Sequence, residues 1–251
     1  MSVLGRLVKS TVLLAAAVVL TRYGTKKDHP GNDPKYDPET LEQRSTALSG
    51  KRMLWLGSSF SAGTGSGGIC LTDYLKYING TEIINESLAH SYLSSVTQNS
   101  AVKRFRSSLA LVSHADYLVI EISPIDAEMT SGNVSDSFDR FTFPIKTTIG
   151  ALEYLIAYSK ELWDPQIILF TLPYCGDHAY EQLISKVQQV SDKWNVHLID
   201  MYHDRTLENP DPVKRSLYMT DVSHPTKAGL HDWIVPYIQE KLLNIAAGGR
   251  S

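Results

Sequence analysis

Cysteine is scarce in this 251-residue chain, with Cys70 and Cys175 the only two. Two cysteines so far apart give neither a metal-ligand spacing nor a disulfide framework, leaving at most one bridge, and both read as small buried hydrophobes. An excess of one charge is also missing. The 24 Lys and Arg stand against 27 Asp and Glu, a net charge of −3, so no basic footprint marks a nucleic-acid partner. His197 and His203 do not stand with cysteine and carboxylate at ligand spacing, and no metal is expected. Internal repeats and low-complexity tracts are absent. What remains is an ordinary globular composition, 43% hydrophobic, enough to bury one large core.

Long hydrophobic runs are lacking too, with one exception. Arg6 and Lys9 precede an uncharged stretch from Thr11 to Leu20, and Arg22 closes it. A basic lead followed by a short apolar run is the layout of an export signal. The run is shorter than the roughly 20 residues of a spanning helix. No small-x-small cleavage site follows it, so residues 1–22 read as a signal peptide or as an uncleaved signal anchor. Residues 23–50 contain three prolines and several charges but little apolar material, and read as a polar linker.

From residue 51 the pattern alternates. Short apolar runs at 51–56, 81–85, 117–122, 166–172 and 196–200 read as strands. Helical spacing recurs over 69–78, 149–156, 180–194 and 226–243. Near-continuous hydrophobic strands separated by helices predict a three-layer α/β/α fold around a central, mostly parallel, five-stranded sheet. Right-handed crossovers then bring the loops after the strands to one sheet edge, where ligands bind in such folds.

Three segments converge on that edge. Gly57-Ser58-Ser59-Phe60 follows the first strand, Ser123-Pro124-Ile125-Asp126 follows the third, and Asp221-Val222-Ser223-His224-Pro225 precedes the last helix. A serine, a histidine and an aspartate are the nucleophile, base and orienting carboxylate of acyl transfer. Each half also has a plain structural reading. A Gly-Ser-Ser turn is commonly only a turn, and Asp221 with Pro225 makes a reasonable helix start. Gly63-Thr64-Gly65-Ser66-Gly67-Gly68 satisfies the G-x-G-x-x-G string but does not follow a strand directly. It reads as close backbone passage and a helix cap, with no cofactor expected. Tyr74, Tyr77, Tyr154 and Tyr158 read as packing, and 128–142 as an exposed loop beside the crevice.

In these motifs the chain resembles the SGNH (GDSL-type) hydrolases over about residues 51–243. Gly57-Ser58-Ser59-Phe60 stands at their Gly-Asp-Ser-Leu block, and Asp221-Val222-Ser223-His224-Pro225 at their Asp-x-x-His-Pro block. Residues 85–91 and 116–126 resemble the two blocks between. The resemblance implies a flavodoxin-like SGNH domain over 51–245, with Ser59 as nucleophile, His224 as general base and Asp221 as its partner. It implies an oxyanion hole drawn from Ser59, His90, Ser123 and the position of Ile125. Two departures stand out: His90 replaces the second block's glycine, and Ile125 the third block's asparagine. Ser123, Asn99 or the His90 imidazole are the candidate substitute donors, while Asp126 is expected to have a structural role. The implied activity is hydrolysis of acyl esters, O-acetyl groups on extracellular or cell-envelope carbohydrate foremost. The implied place is outside the cytoplasm, secreted or held at a membrane by the first segment. The alternative, favoured by Ile125, is an inactive SGNH domain that binds a glycan or a protein.

Overall fold

The computed structural model of the chain describes residues 28–207 and 210–249. The apolar segment read as a signal lies outside them. Among the described residues, no helix is long and apolar enough to cross a membrane.

Five strands form one sheet: β1 (Arg52–Leu56), β2 (Glu82–Asn85), β3 (Tyr117–Ile122), β4 (Gln166–Thr171) and β5 (His197–Ile199). Their order is β2-β1-β3-β4-β5 and every pairing is parallel, as the apolar runs predict. All six residues of the central β3 are buried, because helices cover both faces. The helix α1 (Leu71–Asn79) connects β1 to β2. The crossovers α2 (Ala101–Ser108), α3 (Thr148–Leu162) and α4 (His178–Trp194) lie together on the other face. The sheet order reverses at β1, which puts the switch-point crevice between β1 and β3.

The closing helical segment is not continuous. It runs as α6 (Lys227–Gly229), a π-turn (Leu230–Ile234) and α7 (Val235–Ala246), after the short α5 (Pro212–Tyr218). Pro236 in the first turn of α7 has no N–H to give to the preceding turn, and the ladder widens there. Neither α2 nor α5 shows in the sequence pattern. The first has only Ala101, Val102 and Phe105 as an apolar stripe, and the second buries no residue.

The polar linker expected over 23–50 is corrected from residue 28 onward. Pro30–Asn32, Pro34–Tyr36 and Pro38–Thr40 form three successive 3₁₀ turns, the first two capped by the His29 and Asp33 side chains. The segment is held by specific polar bonds, which a count of apolar residues does not register. Tyr74 Oη donates to the Tyr36 carbonyl at 2.7 Å, Arg44 N to the Ile78 carbonyl at 2.7 Å, and Leu48 is fully buried. It is a strap folded onto the domain.

The cysteines differ from expectation as well. Both are free thiols, half-buried in loops, and only Cys175 packs against the core. Burial still pushes the Cys70 thiol up to about 11. The 128–142 stretch runs back along α3 and α4. Lys186 Nζ donates to the Gly132 carbonyl at 2.6 Å, and Thr148 N to the Thr130 carbonyl at 3.0 Å.

Candidate active site

The turn after β1 is braced from beneath by buried polar groups. Ser58 donates its hydroxyl to the Glu121 carboxylate, whose second oxygen accepts Ser61 N–H at 3.1 Å. Glu121 sits in β3 and is 2% exposed, so its carboxylate needs such partners. Arg104, from α2, donates to the Gly57 carbonyl at 3.0 Å and to Ser91 Oγ at 3.1 Å. Burial holds its guanidinium below the usual arginine range. The sequence reading missed both groups. A lone glutamate inside the apolar run Tyr117–Ile122 was the available signal for the first; Arg104 gave none.

On this base, Ser59 is half-buried and its hydroxyl accepts the backbone N–H of His90 at 3.2 Å. His90 holds φ near +57°, the left-handed conformation that glycine adopts most easily. The replacement of glycine by histidine therefore leaves the backbone donor in place. The His90 side chain is not needed for that bond.

The base loop is built around Asp221. Its Oδ1 accepts Ser223 N–H and His224 N–H, each at 3.0 Å, and both carboxylate oxygens lie 2.8 Å from His224 Nδ1. This assigns the proton to Nδ1 and leaves Nε2 as the acceptor, the tautomer a general base requires. Thr220 N donates to the His224 carbonyl at 2.9 Å, closing the loop on itself.

The glycine-rich loop brings the two halves together. Thr64 N donates to the Ser59 carbonyl at 3.2 Å. One residue on, a Cβ at Gly65 would lie 2.7 Å from the His224 carbonyl oxygen and closer still to that of Pro225. Only glycine allows this approach. The expected helix cap is not there: α1 begins at Leu71, beyond the glycines, with Cys70 as its N-cap. Among the described residues, the Ser59 hydroxyl makes no hydrogen bond to the His224 ring. Catalytic bonds in unliganded sites are often long and tighten only when substrate binds.

The remaining candidates fall on either side of this centre. Ser123 is buried and its N–H donates to Asp126 Oδ2 at 3.0 Å, while Asp126 Oδ1 accepts Leu93 N–H at 2.7 Å. Asp126 thus ties the third motif to the segment just beyond the second, and burial pushes its carboxyl up to about 7. Ile125 is half-buried and offers no polar atom beyond its backbone. Asn99 is exposed before α2, its carbonyl accepting from Arg104 at 3.3 Å, and it is not brought to Ser59. Beside the base loop lies a narrow recess lined by Phe60, Pro124, Leu172, Val222, Ser223 and Trp233, with about 10 Å³ of room.

No family model matches the sequence, and no curated protein does. Solved structures are similar in fold. A Lactobacillus plantarum protein aligns with TM-score 0.63 at 21% identity, covering 78% of this chain and 97% of its own. A Bacteroides ovatus protein described as a GDSL-like lipase aligns with TM-score 0.55 at 14% identity, covering 77% and 98%. An acetylxylan esterase from Geobacillus stearothermophilus, in a catalytic mutant, aligns with TM-score 0.53 at 16% identity, covering 76% and 94%. At such identities the likeness is one of architecture, and the chain has the SGNH hydrolase fold.

Proposed function

We propose that the chain is a serine esterase that removes short acyl groups, O-acetyl foremost, from carbohydrate outside the cytoplasm. The observation that carries this reading is the pairing of His90 N–H on the Ser59 hydroxyl with the Asp221-oriented His224 on a loop packed against the same glycine turn. In the proposed reaction, Ser59 Oγ attacks the ester carbonyl and His224 Nε2 takes the hydroxyl proton. Asp221 stabilises the imidazolium, and the N–H groups of His90 and Ser59 receive the oxyanion. His224 returns the proton to the leaving alcohol, giving an acyl-Ser59 ester and the freed hydroxyl. A water, deprotonated by His224, then attacks that ester; the bond to Ser59 Oγ breaks, His224 returns the proton to Oγ, and the carboxylic acid leaves.

Ile125 leaves one oxyanion donor out, a loss of about 2.7–4 kcal/mol where such donors have been removed. A slow enzyme is therefore expected. The likeness to an acetylxylan esterase supports carbohydrate as the acceptor. The basic-then-apolar start of the chain supports export or membrane attachment.

The test is hydrolysis of p-nitrophenyl acetate and acetylated xylan by the protein from residue 28 onward, beside Ser59→Ala and His224→Ala. Acetate release is expected, falling by at least about 10³-fold in either variant, with longer acyl esters turned over more slowly. Equal rates in all three proteins, with xylan bound but not deacetylated, would instead give the binding-module reading.

A further inference from the structure

The strap at 28–40 reaches the proposed site through one buried side chain. Asn32 is 7% exposed. Its Nδ2 donates to the Gly65 carbonyl at 2.9 Å, and its Oδ1 accepts Lys227 N–H at 2.9 Å. Gly65 belongs to the loop whose Thr64 N–H holds the Ser59 carbonyl, and Lys227 lies three residues past His224. A single carboxamide therefore spans the nucleophile loop and the base loop, one hydrogen bond to each.

The neighbouring groups fix that carboxamide in place. A Cβ at Gly31 would run into the Leu217 carbonyl and Thr226 Oγ1, so the strap presses directly on the base loop's flanks. Thr226 Oγ1 donates to the Leu217 carbonyl at 2.7 Å, and Thr226 N to the Tyr218 carbonyl at 2.8 Å. Lys227 Nζ pairs with Asp37 at 2.5 Å, giving the strap a second hold on the same residue.

We propose that Asn32 is a positioning residue that sets the spacing between Ser59 and His224 by clamping Gly65 to Lys227. This rests on the esterase reading above. The clamp acts on the two loops and touches neither substrate nor reacting atoms. A displacement of about 1 Å between reacting groups costs on the order of 100-fold in rate. Asn32→Asp is the sharper variant, because it is isosteric. It keeps the acceptor for Lys227 N–H but sets an oxygen against the Gly65 carbonyl. Asn32→Ala removes both bonds.

The experiment measures kcat, KM and the rate of Ser59 labelling by a fluorophosphonate for wild type, Asn32→Asp and Asn32→Ala. Measurements are made well below each protein's melting temperature, with circular dichroism as the check on folding. The expected result is a fall in kcat and labelling rate of about tenfold or more in both variants, KM staying within about threefold. A substitution that only loosened the fold would lower the melting temperature and leave kcat of the folded protein unchanged. Wild-type kcat and labelling in folded Asn32→Asp and Asn32→Ala overturn the clamp alone. A wild type that neither hydrolyses nor labels overturns the esterase reading and the clamp with it.

Discussion

At the scale of single residues, His90 separates what a side chain does from what its backbone does. The amide points at Ser59 Oγ while the imidazole is exposed, and φ near +57° costs a non-glycine residue something. If the oxyanion donor is the backbone N–H, His90→Gly keeps it and eases the conformation. The expected outcome is kcat within about twofold of wild type and a melting temperature equal or higher. A fall of about 100-fold would instead make the imidazole the donor. The sequence alone left those two choices open, together with Ser123 and Asn99. The structure leaves Asn99 exposed away from the turn, while at Ser123 it commits the backbone N–H to Asp126 and leaves the hydroxyl a candidate donor.

At the scale of elements, two segments without an apolar pattern are fixed by buried polar anchors. One is the strap at 28–50. The other is the stretch at 129–139, held by Lys193 of α4, whose ammonium donates to the Ser135 carbonyl at 2.6 Å and to Glu153 at 2.5 Å. Glu153 is fully buried in α3 and also accepts Ser135 N–H at 3.0 Å and Trp194 Nε1–H at 3.2 Å. Removing the cation leaves a buried charge without its counter-ion. Lys193→Met is therefore expected to destabilise the protein by about 3–5 kcal/mol in urea unfolding. A loss below about 1 kcal/mol would mean that water reaches Glu153 and the loop is held by other contacts. Hydrophobic periodicity is blind to such anchors, because a buried lysine or asparagine looks polar in the sequence whether solvated or not.

At the scale of the whole molecule, legibility follows the same division. The five strands were readable because parallel strands buried on both faces are mainly apolar, as Tyr117–Ile122 is at every position but Glu121. Long helices with one wide stripe, such as α4, were readable for the same reason. The short α2 and α5 were not, since neither carries enough apolar positions to set a period. Of the candidate site, Ser59, His90, Asp221 and His224, whose roles belong to the proposal above, were nameable from motif and order. Their supports were not: Glu121, Arg104 and Asn32 act across 63, 47 and 33 positions of chain, and no local pattern encodes such pairs. The fold thus places a braced serine and an oriented histidine on loops that touch at Gly65.

The most direct measurement is fluorophosphonate labelling of the folded protein with the modified peptide mapped, for wild type, Ser59→Ala and His224→Ala. The account predicts a single adduct on Ser59, absent in Ser59→Ala and formed at least about 100-fold more slowly in His224→Ala. An unlabelled Ser59 in wild type, or labelling whose rate ignores His224, would contradict it.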